Sequence, residues 1–570
     1  MQALPNLSEL DVSGNQLPDV TPLIGMHNLT RLNLSGNRSL RIAEVSGVIA
    51  GNPNLTSIGL NGIAINSMNE LGSLAYAWPP YNLTELDLGN TGVQRSSGGR
   101  GFDLLRQFPN LQKLNLAGNG VVDIYSELRE LQNLTDLDLS GNKLQFLPFP
   151  MQTKLTRLNV SGNPVMYAQE LGYLINQNPG LTSLRLNGIN IGSISNLGGL
   201  INSRTGQPLN LTELDLGNTG LLDQYGQKNV SFLAQFGNLQ HLNLAGNSLN
   251  NLVGLGNVAS LREVDLSGNA LLDVYPLMAA RNLTRLNLSG NVALTIGQVR
   301  PLIDQSWGLT SLGLNGMALN DISALGPMFN PMTGTPYNLE ELDLGNTRLN
   351  GFGNTRSAWI MQHTNLRRLN LANNGLTDLQ GFEMLNQLVD VDVSGNNLSD
   401  TQPLFALRGL NSINLSGNSN LQAWSVAPVL GQNPGLTRIG LNGINLGSLA
   451  NIGGFMGNGW QPLKLVELDI GNTQLQDIDG LNFLNNFPGI TRLNVAGNGL
   501  HSIYGVRSLV NLENLDLSNN ALPYVGEVFT MTTLKTLNLT GDTGLHCFEL
   551  DAVANFLPNT LVTRPASCIN

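Results

Sequence analysis

The sequence predicts an α/β solenoid, with a parallel concave sheet of short strands and with short helices and 3₁₀ turns on the convex side. Three observations lead there. Starts of the pattern LxxLxLxxN occur 22 times in 570 residues, from Leu7 in LSELDVSGN to Leu534. A second period lies above the first: the starts at 7, 134, 261 and 388 are 127 residues apart, and 512 follows 124 later. The composition is unusual, with 12% charged residues, 5% aromatics and 65 glycines. A chain so poor in charge and rings needs another way to hold together, and self-similarity at fixed spacing is the mark of stacked repeats.

Each element follows from the spacing. Leucines at positions 4 and 6 of a repeat alternate with outward residues, as a short strand requires. The asparagine at position 9, as in Asn15, Asn37, Asn119 and Asn142, stands where the chain turns away. Its amide suits backbone groups of the turn and of the next coil, so stacked asparagines are expected to form a ladder. The third repeat of each module instead carries Ile63, Ile189, Met317 or Ile444, and the fourth Thr91, Thr219, Thr347 or Thr473. The ladder is therefore expected to break or change partners twice per module. Apolar residues recur at helical spacing in 43–50 and 298–303, which predicts the longest convex helices after the second repeat of each module. No repeat buries its own apolar face, so stability must come from stacking. One cooperative solenoid is expected over residues 1–545, with modules starting near 7, 134, 261, 388 and 512, and a C-terminal cap over 546–570.

With its ELDVSGN, RLNLSGN, ELDLGNT and KLNLAGN segments, the chain resembles the leucine-rich-repeat family over nearly its whole length. The short repeats, as in Asn15-Gln-Leu-Pro-Asp-Val-Thr-Pro-Leu23, are similar to those of secreted or surface bacterial members, the internalin-like adhesins. That resemblance implies a horseshoe and recognition of a protein or glycan through the concave face.

The two cysteines, Cys547 and Cys568, both lie in the cap. A disulfide is expected to pin the last coil and points outside the cytosol; two free buried thiols are the alternative. The first residues lack a charged n-region and an apolar h-region, so the chain reads as a mature form or an excised piece. No apolar run reaches 18 residues, so no membrane span is expected. The formal charge of −11 disfavours a nucleic-acid partner. HExxH, GxxxxGK[ST] and GxSxG are absent, and the five histidines are scattered. Gly254-Leu-Gly256-Asn-Val-Ala259 matches a dinucleotide fingerprint loosely, but without a βαβ context. The expectation is a chain that is not an enzyme and has neither cofactor nor metal. Sequons such as Asn28-Leu-Thr and Asn33-Leu-Ser read as by-products of the repeat.

Positions 3 and 5 of each repeat should face outward on the concave sheet. Over all repeats they hold 17 acids and eight bases, so nine of the eleven surplus negative charges fall there. Candidate ligand contacts are Glu85, Asp87, Lys113, Asp136, Asp138, Glu213, Asp215, Glu263, Asp265, Glu341, Asp343 and Arg368. Alternation of acidic and basic strands supports a cross-strand charge ladder. The alternatives are an acidic face for a basic or repetitive partner, or a cation held by pairs such as Glu213 with Asp215. Loop aromatics before the fourth repeats, Trp78, Tyr81, Tyr337 and Trp460, are candidates for carbohydrate or partner contact or for packing on the coil below.

The resulting expectation is a non-catalytic binding or adhesion protein, extracellular or at the cell surface, with a protein or carbohydrate ligand. The alternative is a structural surface protein that assembles with itself head to tail into a fibre. An intracellular scaffold is disfavoured by the cysteine pair.

Overall fold

This computed structural model describes residues 4, 6–65, 68–75, 81–93, 102–147, 154–349, 359–448, 463–475 and 481–569. The chain divides into two compact units, Met1–Arg285 and Leu286–Asn570. A three-residue strand stands at every one of the 22 repeat starts, and a further strand, Leu561–Thr563, follows the last repeat. In the first unit the strands from Glu9–Asp11 to Glu263–Asp265 each run parallel to the next in the chain. Their register does not slip: Glu9 lies opposite Arg31, Ser57 opposite Glu85, and Glu85 opposite Lys113. The second unit repeats this from Ser311–Gly313 to Leu561–Thr563, with Glu341 opposite Arg368 and Thr536 opposite Leu561. Arg285–Asn287 lies at the boundary between the units.

The strands are short because each coil needs the chain to turn within a few residues. The middle residue of the strand and the leucines flanking it point inward, so Leu29, Leu32 and Leu34 are all buried. Burying one such leucine contributes about 2 kcal/mol, and stacking repeats this at every coil. Position 8 takes a left-handed backbone, which favours glycine or asparagine. Gly36 has φ 79°, and Asn90 holds the same place in a fourth repeat with φ 52°.

The convex helices fall where the periodicity puts them. Ile42–Ala50, Ala168–Gln177, Ile296–Gln305 and Ala423–Gln432 each follow the second repeat of a module. Val45, Val48 and Ile49 of the first, and Val299, Leu302 and Ile303 of the third, pack inward. The other described connections are mostly 3₁₀ turns, since a coil of about 22 residues leaves room for little more.

The asparagine ladder is present. Asn142 donates from Nδ2 to Leu116 O and Leu139 O, while its Oδ1 accepts the N–H groups of Asn119 and Val121. Each rung thus ties its own turn to the coil before it. The rung is lost at Ile63, whose N–H turns back to Leu60 O. At Thr91 it changes partner: the hydroxyl lies between Leu88 O and Asn119 Oδ1. A second set of buried amides, legible only in the structure, closes the convex helices. Asn52 donates to Met26 O and Val48 O and accepts from Leu29 N, and Asn433 likewise bonds Val429 O and Leu410 N.

After the last repeat the chain forms the helix Cys547–Phe556 and returns as Leu561–Thr563. Cys547 and Cys568 are joined by a disulfide. Ile569 bonds back to Leu545 O and Cys547 N, which holds the tail against the start of the helix.

Candidate interaction face

The outward side chains of the sheet form two columns with different chemistry. At position 3 of each repeat, acids and bases meet across neighbouring strands. Glu85 is the clearest case. Its Oε1 lies 2.5 Å from Lys113 Nζ, its Oε2 lies 2.8 Å from Arg31, and Ser57 Oγ donates to it at 3.0 Å. Arg31 reaches it across the intervening strand because that strand carries only Ser57 and Gly59 outward. The hydrogen bond from Lys113 is the main reason the Glu85 pKa lies below the usual carboxylate range.

The same column continues along each unit. In the first, Asp136 pairs with Arg157 at 3.3 Å, Glu213 with Arg185 at 2.5 Å, and Glu263 with His241 at 3.2 Å. Burial opposes ionisation of Glu213, but hydrogen bonds from Ser183 and Arg185 outweigh it and lower its pKa. Asp136 has no such donors, so burial prevails and raises its pKa in spite of Arg157. In the second unit Arg368 pairs with Glu341, which also accepts from Ser311 Oγ at 3.0 Å. Most of the basic partners are about half exposed, and such pairs contribute roughly 0–1 kcal/mol each.

The position-5 acids do something else. Asp138 Oδ1 accepts from Ser140 N and Ser140 Oγ, and its Oδ2 accepts from Asn159 Nδ2 on the next strand. Asp87, Asp215 and Asp343 accept from Gly89 N, Gly217 N and Gly345 N, and from the amides of Asn61, Asn187 and Asn315. Asp265 accepts from Ser267 N and Ser267 Oγ. These aspartates close the turn that follows each strand. Burial raises the pKa of Asp215 against those hydrogen bonds. Glu213 and Asp215 therefore serve different partners. Among the described residues no group of three or more His, Cys, Asp or Glu could hold a metal ion.

The strands from Glu9–Asp11 to Arg157–Asn159 line an open, polar groove of about 750 Å³ with the Glu85 network in its middle. Of the loop aromatics, Tyr81 and Tyr337 are not part of this face. Both are buried, and their hydroxyls donate to Ile49 O and Ile303 O at the ends of the convex helices. Trp78 and Trp460 lie outside the described residues. The sequon threonines also have a structural use, since Thr30 Oγ1 donates to Ser8 O and Thr84 Oγ1 to Thr56 O. Asn33, itself in a sequon, spends its amide on Asp11 and Ser35 N.

A stack of strand-and-turn coils with a leucine core, asparagine rungs and an open polar sheet face defines a solenoid repeat protein. A family model for leucine-rich repeats (two copies) matches residues 109–150 and 364–406. The fold is that of a leucine-rich-repeat solenoid. It is 30% identical over 164 residues to leucine-rich repeat-containing G-protein coupled receptor 5 of Rattus norvegicus, covering 28% of this chain and 17% of the receptor. It is 29% identical over 172 residues to Tsukushi-A of Xenopus laevis, covering 29% of this chain and 46% of that protein. These matches span less than half the length of either relative. Among solved structures, an internalin of Listeria monocytogenes aligns with TM-score 0.41 and 23% identity, over 57% of this chain and 85% of the internalin. A leucine-rich-repeat protein of Leptospira interrogans aligns with TM-score 0.24 and 20% identity, over 99% and 97% of the two chains. Among the described residues no helix is long and apolar enough to cross a membrane.

Proposed function

We propose that this chain is a non-catalytic extracellular binding protein that receives a protein partner on the open sheet face of its first unit. The observation that carries the reading is the groove around Glu85. It is lined by outward polar side chains of consecutive strands of that unit. Its charges alternate along the sheet, so a partner with the complementary alternation is oriented and selected by it. The disulfide in the cap supports an oxidising location.

The test is a binding screen of the purified chain against a panel of secreted and cell-surface ectodomains, with a glycan array in parallel. A partner of the groove loses affinity at least tenfold with Arg31→Glu/Lys113→Glu and keeps it with Tyr173→Ala on a convex helix. Binding that survives the groove variant, or that is confined to the glycan array, rejects this reading.

A further inference from the structure

Position 9 of the last repeat is Asp542, where the other repeats carry asparagine, threonine or an apolar residue. We propose that Asp542 stands in the folded cap as the neutral carboxylic acid, and that its ionisation loosens the last coil, so that the C-terminal cap is a latch that opens as pH rises.

Asp542 occupies the rung of an asparagine. Its Oδ1 accepts from Asn520 N at 2.9 Å, and the backbone N–H of Leu522 also favours the carboxyl group. Asn142 Oδ1 takes the corresponding pair one ladder earlier, from Asn119 N and Val121 N. In every full rung the other end of the amide is a donor. Asn520 Nδ2 gives to Val495 O and Leu517 O, and Asn498 Nδ2 to Ile470 O and Val495 O. In Asp542 that end is Oδ2, which is buried and has no hydrogen-bond partner. The register sets it towards the carbonyls of Leu517 and Leu539. An ionised oxygen there would face two acceptors with no donor. A protonated one donates to either, as the asparagine does, at the ordinary geometry of the ladder.

The charged surroundings oppose ionisation. Asp516, on the preceding strand, adds a like charge. On the preceding coil and the cap, Glu549 is turned to Val525 N, and Arg564 is bound to Asp551 and Leu550 O. His546 stacks on Phe548. None of these supplies a cation to Oδ2. Burial pushes the Asp542 pKa up to about 7. The sign follows: the folded cap binds the proton more tightly than the open chain, so the contribution is full below about pH 4 and is lost as pH rises through about 7.

The experiment is hydrogen exchange by mass spectrometry on the full chain and on Asp542→Asn, from pH 5 to pH 8, with intrinsic rates corrected. Peptides over 517–545 of the native chain should show an opening constant that rises on the order of 100-fold between pH 5 and pH 8. In Asp542→Asn, which restores the ladder amide, the corrected opening should stay flat and match the native chain at pH 5. Equal profiles for the two proteins overturn the proposal. So does a pH dependence that persists in Asp542→Asn, which would assign it to Glu549 or His546. These outcomes do not depend on the identity of any partner.

Discussion

Asn119 Oδ1 accepts both the backbone N–H and the hydroxyl of Thr91, each at 3.0 Å, from a residue 28 positions earlier in the chain. The same amide donates to Leu88 O and Leu116 O. One side chain therefore joins two coils and restores the ladder after the apolar gap at Ile63. Asn119→Ala would leave buried groups of both coils unsatisfied. We expect a loss of roughly 2–4 kcal/mol, read from the urea midpoint, with faster amide exchange at Thr91. A change below about 0.5 kcal/mol would show that the rung is ornamental.

Much of this fold is legible in the sequence. The strands sit at the repeat starts, and the long helices follow the second repeats, because period-2 and period-3.6 patterns report burial directly. Side-chain hydrogen bonds were less legible. Asn52 and Asn433 stand outside the repeat signature, yet they are buried amides that close helices. The position-5 aspartates read as an acidic surface. Their turn bonds depend on a rotamer and on an asparagine of a neighbouring coil, and neither is visible in a spacing pattern. The charge ladder at position 3 was visible because it needs only opposite signs on neighbouring strands.

Backbone conformation offers a second test. Position 10 of the fourth repeat has Gly92 at φ 73° and Gly220 at φ 62°, but Arg348 and Gln474 at φ 59°. A side chain with a Cβ is strained there. Arg348→Gly and Gln474→Gly should each stabilise the protein by about 0.5–1 kcal/mol after the added freedom of the unfolded chain is counted. Arg348→Ala keeps the Cβ and should be neutral. Thermal unfolding of the three variants decides this, and a gain for the alanine variant would contradict the strain argument.

His363 stands where the other modules place Phe108, Phe236 and Phe487, and it is buried against Trp359 with ring centroids 4.3 Å apart. Burial lowers its pKa to about 4, against a backbone contact from Tyr337. The folded state therefore binds a proton less readily than the unfolded chain. Stability is full above about pH 6.5 and falls as pH drops towards 4. Between pH 7 and pH 5 this one ring should cost about 2 kcal/mol. His363→Phe should remove that loss. Unfolding midpoints at the two pH values, compared between native and variant, would show it as a smaller acid shift.

The last prediction separates recognition from scaffolding on the sheet face. Lys113 and Arg31 are about half exposed and share Glu85. Exposed pairs of this kind lose most of their Coulomb energy to water. The strands beneath them are held by buried leucines and backbone ladders, which owe nothing to these charges. Arg31→Ala/Lys113→Ala should therefore move the denaturation midpoint by no more than about 1 kcal/mol. The Glu85 pKa should rise at the same time, because the hydrogen bond from Lys113 is the largest cause of its depression. Carboxylate titration by NMR reads that shift directly. A stability loss of several kcal/mol would instead make the charge column part of the framework, and partner affinity lost in the same variant would then report unfolding rather than contact.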